Sequence, residues 1–235
     1  MLDHPIWVAL HGTQRTFGRV SGAACRYEPD VCPFGALDPA ALAAGGAALA
    51  RAWRDLAAVT GPGGSIGLVA PAGEVPDVPP GWTVLRAGDG LQMTGESVDG
   101  RPDPAAEALG PGDAGQMAAL VESARPGPFL PRTVHLGGYV GRRAGGGLVA
   151  MAGVRMRPAG FAEISAVATD PTWRTRGLAT ALVRHLVASV RDAGDVPFLH
   201  AAGTNTGAID LYHRLGFTDR RTVTFVRLQS PPLPR

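Results

Sequence analysis

The sequence predicts an α/β chain in two parts, and three stretches carry that prediction. Residues 161–194 read as a strand, a tight turn and a helix. Phe161, Glu163, Ser165, Val167 and Thr169 alternate onto one strand face, and Pro171 ends the run. Leu178, Ala181, Leu182, His185, Leu186, Ser189 and Val190 then recur at helical spacing, with Gly194 where a C-terminal cap belongs. Residues 205–217 read as a short helix that Asn205 starts and Gly216 stops, its packed side formed by Ala208, Ile209, Leu211 and Tyr212. GYVGRR (138–143) and LVAMAGVRM (148–156), joined by a Gly-rich turn, read as an antiparallel hairpin.

The other elements follow in chain order. Residues 1–37 hold a short apolar run, WVAL, and a strand candidate over 18–28 that Pro29 and Pro33 close. Asp38 caps a helix with Pro39 at its first position, running to Ala58 and weakened at Gly45 and Gly46. Residues 65–70 form a buried strand. WTVLRA (82–87) and LQMTGE (91–96) flank AGDG, which suits a hairpin turn. Residues 1–100 thus read as a small α/β lobe without a catalytic constellation. The Pro-, Gly- and Asp-rich stretch 97–113 reads as a linker into a second domain, 101–235. There Asp113 caps a helix through Ala124, with Met117, Leu120 and Val121 as its apolar stripe, and a Pro-rich loop spans 125–133. FLHAA (198–202) is a buried strand, TVTFVRLQ (222–229) is the last strand, and SPPLPR reads as a disordered tail.

Composition narrows the function. Of 235 residues, 45% are apolar, enough for a sizeable core, and the formal charge of +2 is too small to argue for nucleic acid or an anionic membrane. No apolar run approaches a membrane span, and the start lacks a basic leader ahead of an apolar core, so a cytoplasmic location is expected. Cys25 and Cys32 have neither zinc-ligand nor redox spacing and read as free thiols. Every cationic side chain other than His is Arg. That excludes a P-loop, which needs Lys after its glycines, and a pyridoxal enzyme, which needs a Schiff-base Lys.

The turn before the long helix reads either as an anion site or as an ordinary strand-to-helix loop with solvated arginines. Outward-pointing amides, the helix dipole, Gly177 and the flanking Arg174 and Arg176 suit a diphosphate. In order, this loop and the second helix resemble the GNAT superfamily of acyl-CoA-dependent N-acetyltransferases. Arg174, Gly177 and Ala179 match that family's Arg/Gln-x-x-Gly-x-Gly/Ala loop, and Asn205, Ala208, Tyr212, Gly216 and Phe217 match its Asn-x-x-Ala-x-x-x-Tyr-x-x-x-Gly-Phe helix. The resemblance covers roughly 105–229. It implies a mixed, mainly antiparallel central sheet with flanking helices, whose two parallel central strands splay apart to admit acyl-CoA. Ala166, Val167, Ala168 and Thr169 would then face the pantetheine with free backbone groups. Arg174, Thr175, Arg176, Gly177, Leu178, Ala179 and Thr180 would hold the pyrophosphate, and Asn205 and Ala208 would flank the far wall.

The resemblance implies acetyl transfer from acetyl-CoA to a primary amine by direct attack, with neither a metal nor a covalent enzyme intermediate. Tyr212 matches the residue that protonates the departing thiolate, its alternative role being packing. Glu163 is the candidate base, acting through a water, with a pKa that Phe161 and Ile164 are expected to raise. Its alternative roles are a surface Glu on a strand edge, or pairing with Arg155 or Arg157 across the hairpin. Phe129 and Arg132 read either as acceptor contacts or as a Phe that plugs the core beside a solvated Arg. His200 reads as a satisfied interior or rim histidine, outside the catalytic set, and His185 as structural. The acceptor is a small molecule, or the amine of a peptide or protein; a non-catalytic acyl-CoA-binding module is the competing reading. The first lobe can shape the acceptor side or a homodimer contact.

Overall fold

The computed structural model describes residues 1–124 and 127–233; positions 125–126 of the Pro-rich loop and 234–235 of the tail lie outside the described residues. The elements in order are α1 (Pro5–Leu10), β1 (Gly18–Ser21), β2 (Ala24–Tyr27), β3 (Gly35–Leu37), α2 (Pro39–Ala44), α3 (Gly46–Thr60), β4 (Ser65–Pro71), β5 (Thr83–Thr94) and β6 (Glu107–Leu109). They continue with α4 (Ala114–Ala124), β7 (Tyr139–Ala144), β8 (Gly147–Val154), β9 (Phe161–Thr169), α5 (Leu178–Asp192), β10 (Val196–Ala202), α6 (Thr206–Leu215) and β11 (Thr218–Gln229).

Eight strands form one sheet in the order β4-β11-β5-β10-β9-β8-β7-β6, and β1-β2-β3 form a separate small sheet. Within the large sheet only β9 and β10 run parallel. The expected mixed, mainly antiparallel sheet with flanking helices is therefore present. Helices α5 and α6 cover one face. Leu182, Val183, Leu186, Tyr212 and Leu215 pack there on Ala150, Ala152, Ala162, Ile164, Leu199 and Ala201. The opposite face is covered by α4, through Met117 and Leu120 on Met151 and Ala168, and by the N-terminal segment, through Ile6, Leu10, Tyr27 and Phe34 with Phe198. A third cluster joins α3 to the sheet edge, through Trp53 and Leu56 with Ile66, Leu68, Val226 and Leu228.

Four readings of the sequence change. The two strands expected around AGDG are one continuous strand, β5. It pairs with β11 along nearly its whole length and with β10 over Gly90–Thr94. Gly90 marks close packing there: a Cβ would collide with the Ala201 carbonyl oxygen and the Phe225 ring. β4 and β5, both from the first hundred residues, thereby stand in the same sheet as β6–β11. The stretch read as a linker is docked. Val98 is buried, Arg191 donates to the carbonyls of Gly95 and Val98, Asp103 is gripped by Arg142 at 2.6 and 2.8 Å, and β6 extends the sheet. The helix from Pro39 divides at Gly45, whose φ of 61° and ψ of −157° no helix accommodates, although Asp38 caps it as expected. Residues 18–28 hold a hairpin, β1 and β2, turning at Gly22.

Candidate active site

The strands β9 and β10 pair over three positions only: Val196 with Phe161, Pro197 with Ala162 and Phe198 with Glu163. Beyond Glu163 both strands continue without each other, β9 to Thr169 and β10 to Ala202, so a wedge opens between them. A β-bulge steers β9 away. Met151 faces Ala168 and Gly153 faces Ser165, so Ala166 and Val167 stand opposite Ala152 alone, and Ala166 takes a φ of 53°. The bulge also breaks the alternation expected from the sequence. Val167 packs with the α5–α6 cluster, whereas Ala166 and Ala168 pack under α4, on the side of Phe161 and Glu163. The backbone of Ala166–Thr169 lines the wedge, and the buried Thr169 hydroxyl has no hydrogen-bond partner among the described residues.

The loop from β9 to α5 begins with an Asx turn, Asp170 accepting from the Thr172 amide at 2.9 Å and its hydroxyl at 2.6 Å. Thr175 (φ 63°) and Gly177 (φ 75°) then adopt left-handed backbone, which curls the chain into the start of α5. No side chain caps α5, so the amides of Leu178, Ala179 and Thr180 point out of the helix without an acceptor among the described residues. A Cβ at Gly177 would meet nothing within 4 Å. Arg174 and Arg176 are exposed beside this opening, and the Arg176 guanidinium lies 4.4 Å from the Trp173 ring centroid. Donors, dipole and free space fit a diphosphate. Across the wedge, Asn205 caps α6 by accepting from the Ala208 amide at 3.3 Å, and Gly216 ends that helix in left-handed backbone.

The two candidate catalytic residues lie on opposite faces of the sheet. Tyr212 packs in the α5–α6 cluster, edge-on to Phe217 at 5.7 Å. Burial pushes its phenol up to about 12, so it stays protonated at neutral pH, and its hydroxyl has no hydrogen-bond partner among the described residues. Glu163 is on the other face, fully buried at the apex of the wedge. Its carboxylate takes two hydrogen bonds from Arg155, at 2.6 and 2.9 Å, and lies 2.8 Å from His200 Nδ1. Burial alone would raise its pKa, but the guanidinium and the His200 hydrogen bond hold it down to about 2. The expected upward shift is thus reversed, and the pairing with Arg155, the alternative read from sequence, is the contact formed. His185 is structural: its Nδ1 accepts from the Asp103 amide at 3.1 Å. Phe129 stacks edge-on against Tyr139 at 5.8 Å, and Arg132 pairs with Asp30 at 3.4 Å.

The sequence did not reveal how far the Glu163 network extends. His200 Nε2 is 3.0 Å from Gln92 Nε2, which also donates to the Leu2 carbonyl at 2.8 Å. Gln92 Oε1 accepts from Arg220, and Arg220 and Arg221 both hold Asp3. A carbonyl on one side and a guanidinium on the other fix which way the Gln92 amide points. His200 Nε2 must then accept, which leaves its proton on Nδ1, donated to Glu163. Gln92 stands between Leu91 and Met93 within β5, and Arg155 directly follows the apolar run of β8; a polar side chain at such a place is the sequence signal for both.

Comparison with known proteins places this architecture. The model of the family described as FR47-like protein matches residues 139–226. A protein of the GNAT family from Novosphingobium aromaticivorans DSM 12444 has a solved structure that is 39% identical, with a TM-score of 0.84 over 97% of this chain and 98% of that one. A GCN5-related N-acetyltransferase from Kribbella flavida shares the fold at 19% identity, with a TM-score of 0.62 over 96% of this chain and 94% of that one. N-alpha-acetyltransferase RimI of Mycobacterium tuberculosis (strain ATCC 25618 / H37Rv) is 36% identical over 83 residues; the match spans 34% of this chain and about half, 51%, of that relative's length. With wedge, loop and capped helix in place, and a relative matched along its whole length, the chain belongs to the GNAT family of N-acetyltransferases.

Proposed function

We propose that the protein transfers an acetyl group from acetyl-CoA to a primary amine by direct attack. The observation that carries this reading is the wedge between β9 and β10, which opens beside an uncapped helix N-terminus flanked by two exposed arginines. Bound acetyl-CoA would supply the activated thioester. The amides of 178–180, with Arg174 and Arg176, would hold its diphosphate. The backbone of Ala166–Thr169 would meet the pantetheine amides, and Asn205 and Ala208 would border the opposite wall. Tyr212, protonated and buried on the α5–α6 face, would give its proton to the leaving thiolate. The amine would arrive as its free base from the other face and, as the carbon–sulfur bond breaks, release its surplus proton to solvent, so nucleophile and acid approach the carbonyl from opposite sides of the sheet.

Glu163 suits a positioning role better than that of a base. Held near 2 and saturated by Arg155 and His200, its carboxylate has little affinity for a proton at neutral pH. Its place at the last paired position of β9 and β10 makes it the clamp that sets where the strands part. Titration with acetyl-CoA, followed by thiol release over a panel of small amines and peptide N-termini, tests the function and separates a small-molecule from a protein acceptor. Acetyl-CoA binding without thiol release on any amine would favour a binding module, and absence of acetyl-CoA binding would refute the reading.

A further inference from the structure

We propose that Tyr139 positions the acceptor: its hydroxyl donates to an uncharged oxygen, a carbonyl or a hydroxyl, that the amine carries within a few bonds of its nitrogen. This rests on the acetyltransferase reading above. Tyr139 on β7 is 2% exposed, and its hydroxyl is buried without a hydrogen-bond partner among the described residues. Such an orphaned donor costs the fold free energy, and native structures rarely keep one without a use. Burial pushes the phenol up, so at neutral pH it keeps the proton it would donate.

The ring is directed at the wedge. A Cβ at Gly153 on β8 would collide with the Tyr139 ring, so that glycine lets the ring lie across β8. β8 stands between β7 and β9, and the cross-strand partner of Gly153 is Ser165 on β9. The ring therefore leans from β7 toward Ser165, two residues past Glu163 at the apex. Tyr139 shares a packed cluster with Ala166 and Ala168, whose backbone lines the wedge. Arg155 and Glu163 are close enough for their charges to act on the phenol. This is the face opposite Tyr212, from which the amine would arrive.

The surroundings of the hydroxyl define the oxygen it would meet. Arg155 and Glu163 neutralise each other, so no spare cation stands beside Tyr139 to match a carboxylate. Met117, Leu120, Val134 and Met151 make the rest of the cluster apolar, and Ser165, half-buried, is the other hydroxyl of that cross-strand row. An uncharged oxygen on an otherwise apolar body fits this floor. Among the described residues of the cluster, Phe129 alone lies outside helix and strand. Its half-buried ring, edge-on to Tyr139 at 5.8 Å, is thus the neighbour that can yield to an entering acceptor.

The test pairs amines that differ in the oxygen: L-alaninamide against sec-butylamine, and 2-aminoethanol against propylamine. Per free amine, wild type should acetylate the oxygen-bearing member of at least one pair with kcat/KM about tenfold above its partner. In Tyr139→Phe that ratio should collapse toward one, with acetyl-CoA affinity unchanged. The variant should also melt no lower than wild type, because the hydroxyl it removes has no partner to lose. A wild-type ratio near one in both pairs, or a ratio untouched by the substitution, would overturn the proposal. So would a lower melting temperature, which would give the hydroxyl an intramolecular role. If none of the four compounds turns over, calorimetry of each against CoA-loaded protein decides. Tighter binding of an oxygen-bearing member, lost in Tyr139→Phe, supports the proposal; no binding or equal binding overturns it. A protein that binds no acetyl-CoA would instead remove the acetyltransferase reading, and this proposal with it.

Discussion

Tyr212 and Glu163 make opposite demands on their surroundings. A phenol kept protonated by burial is ready to donate, so Tyr212→Phe should lower kcat by about tenfold or more and leave acetyl-CoA affinity nearly unchanged. Full turnover in that variant would assign Tyr212 to packing. Glu163→Gln removes the charge that neutralises Arg155 in the interior, and breaking such a pair costs about 3–5 kcal/mol. Chemical denaturation should show that loss, and raising the pH should restore no activity, because no base has been removed. Recovery of rate at high pH would reinstate Glu163 as the base. The carboxylate's pKa is lower folded than unfolded. The stability it contributes is thus complete above its ordinary value of 4.5 and lost as pH falls toward about 2. Acid titration of wild type should show that decline, and the Gln variant should lack it. The sequence already offered Arg155 as a partner for Glu163, because a hairpin makes such neighbours. Leu2 and Gln92 stayed hidden, since nothing local in the chain announces a contact between residues 2 and 92.

Among the elements, those defined by nearby residues were legible and those defined by distant ones were not. The loop before α5, the cap at Asn205, the stop at Gly216 and the β7–β8 hairpin each depend on a few consecutive residues. β5 was misread because Gly88 and Gly90 look like turn residues; the small size of Gly90 serves the close approach of Ala201 and Phe225. The bulge at Ala166 escaped detection because alanine gives no sign of positive φ. For the α5 element the decisive change is Gly177→Glu. It puts a carboxylate before the free amides and forces a side chain into left-handed backbone, a strain of roughly 1–2 kcal/mol. Acetyl-CoA binding by calorimetry should disappear while circular dichroism stays native. Retained affinity would mean that the diphosphate sits elsewhere.

The whole molecule is tied together across its midpoint. β5 lies between β10 and β11, and β11 lies between β5 and β4, so each half of the chain contributes strands that the other half needs. The boundary near residue 100, suggested by composition, therefore does not separate two folding units. A chain cut to 101–235 would lack the strand that joins β10 to β11 and should remain unfolded by heteronuclear NMR. Adding the 1–100 fragment should restore dispersed spectra, and a well-dispersed spectrum of 101–235 alone would contradict the topology. Among the described residues, no helix is long and apolar enough to cross a membrane.

The same strand order sets a timetable for synthesis. Thr83 pairs with Gln229, far later in the sequence, so β5 leaves the ribosome long before either neighbour exists. Until β10 and β11 emerge, both of its edges are open, and it carries Val84 and Leu85, which stay exposed even in the finished fold. Folding has to wait for contacts of high sequence separation, the slow class, and the waiting species has an unpaired apolar strand available to other chains. The yield of soluble protein should therefore depend on elongation rate and temperature more steeply than the stability of the finished molecule does.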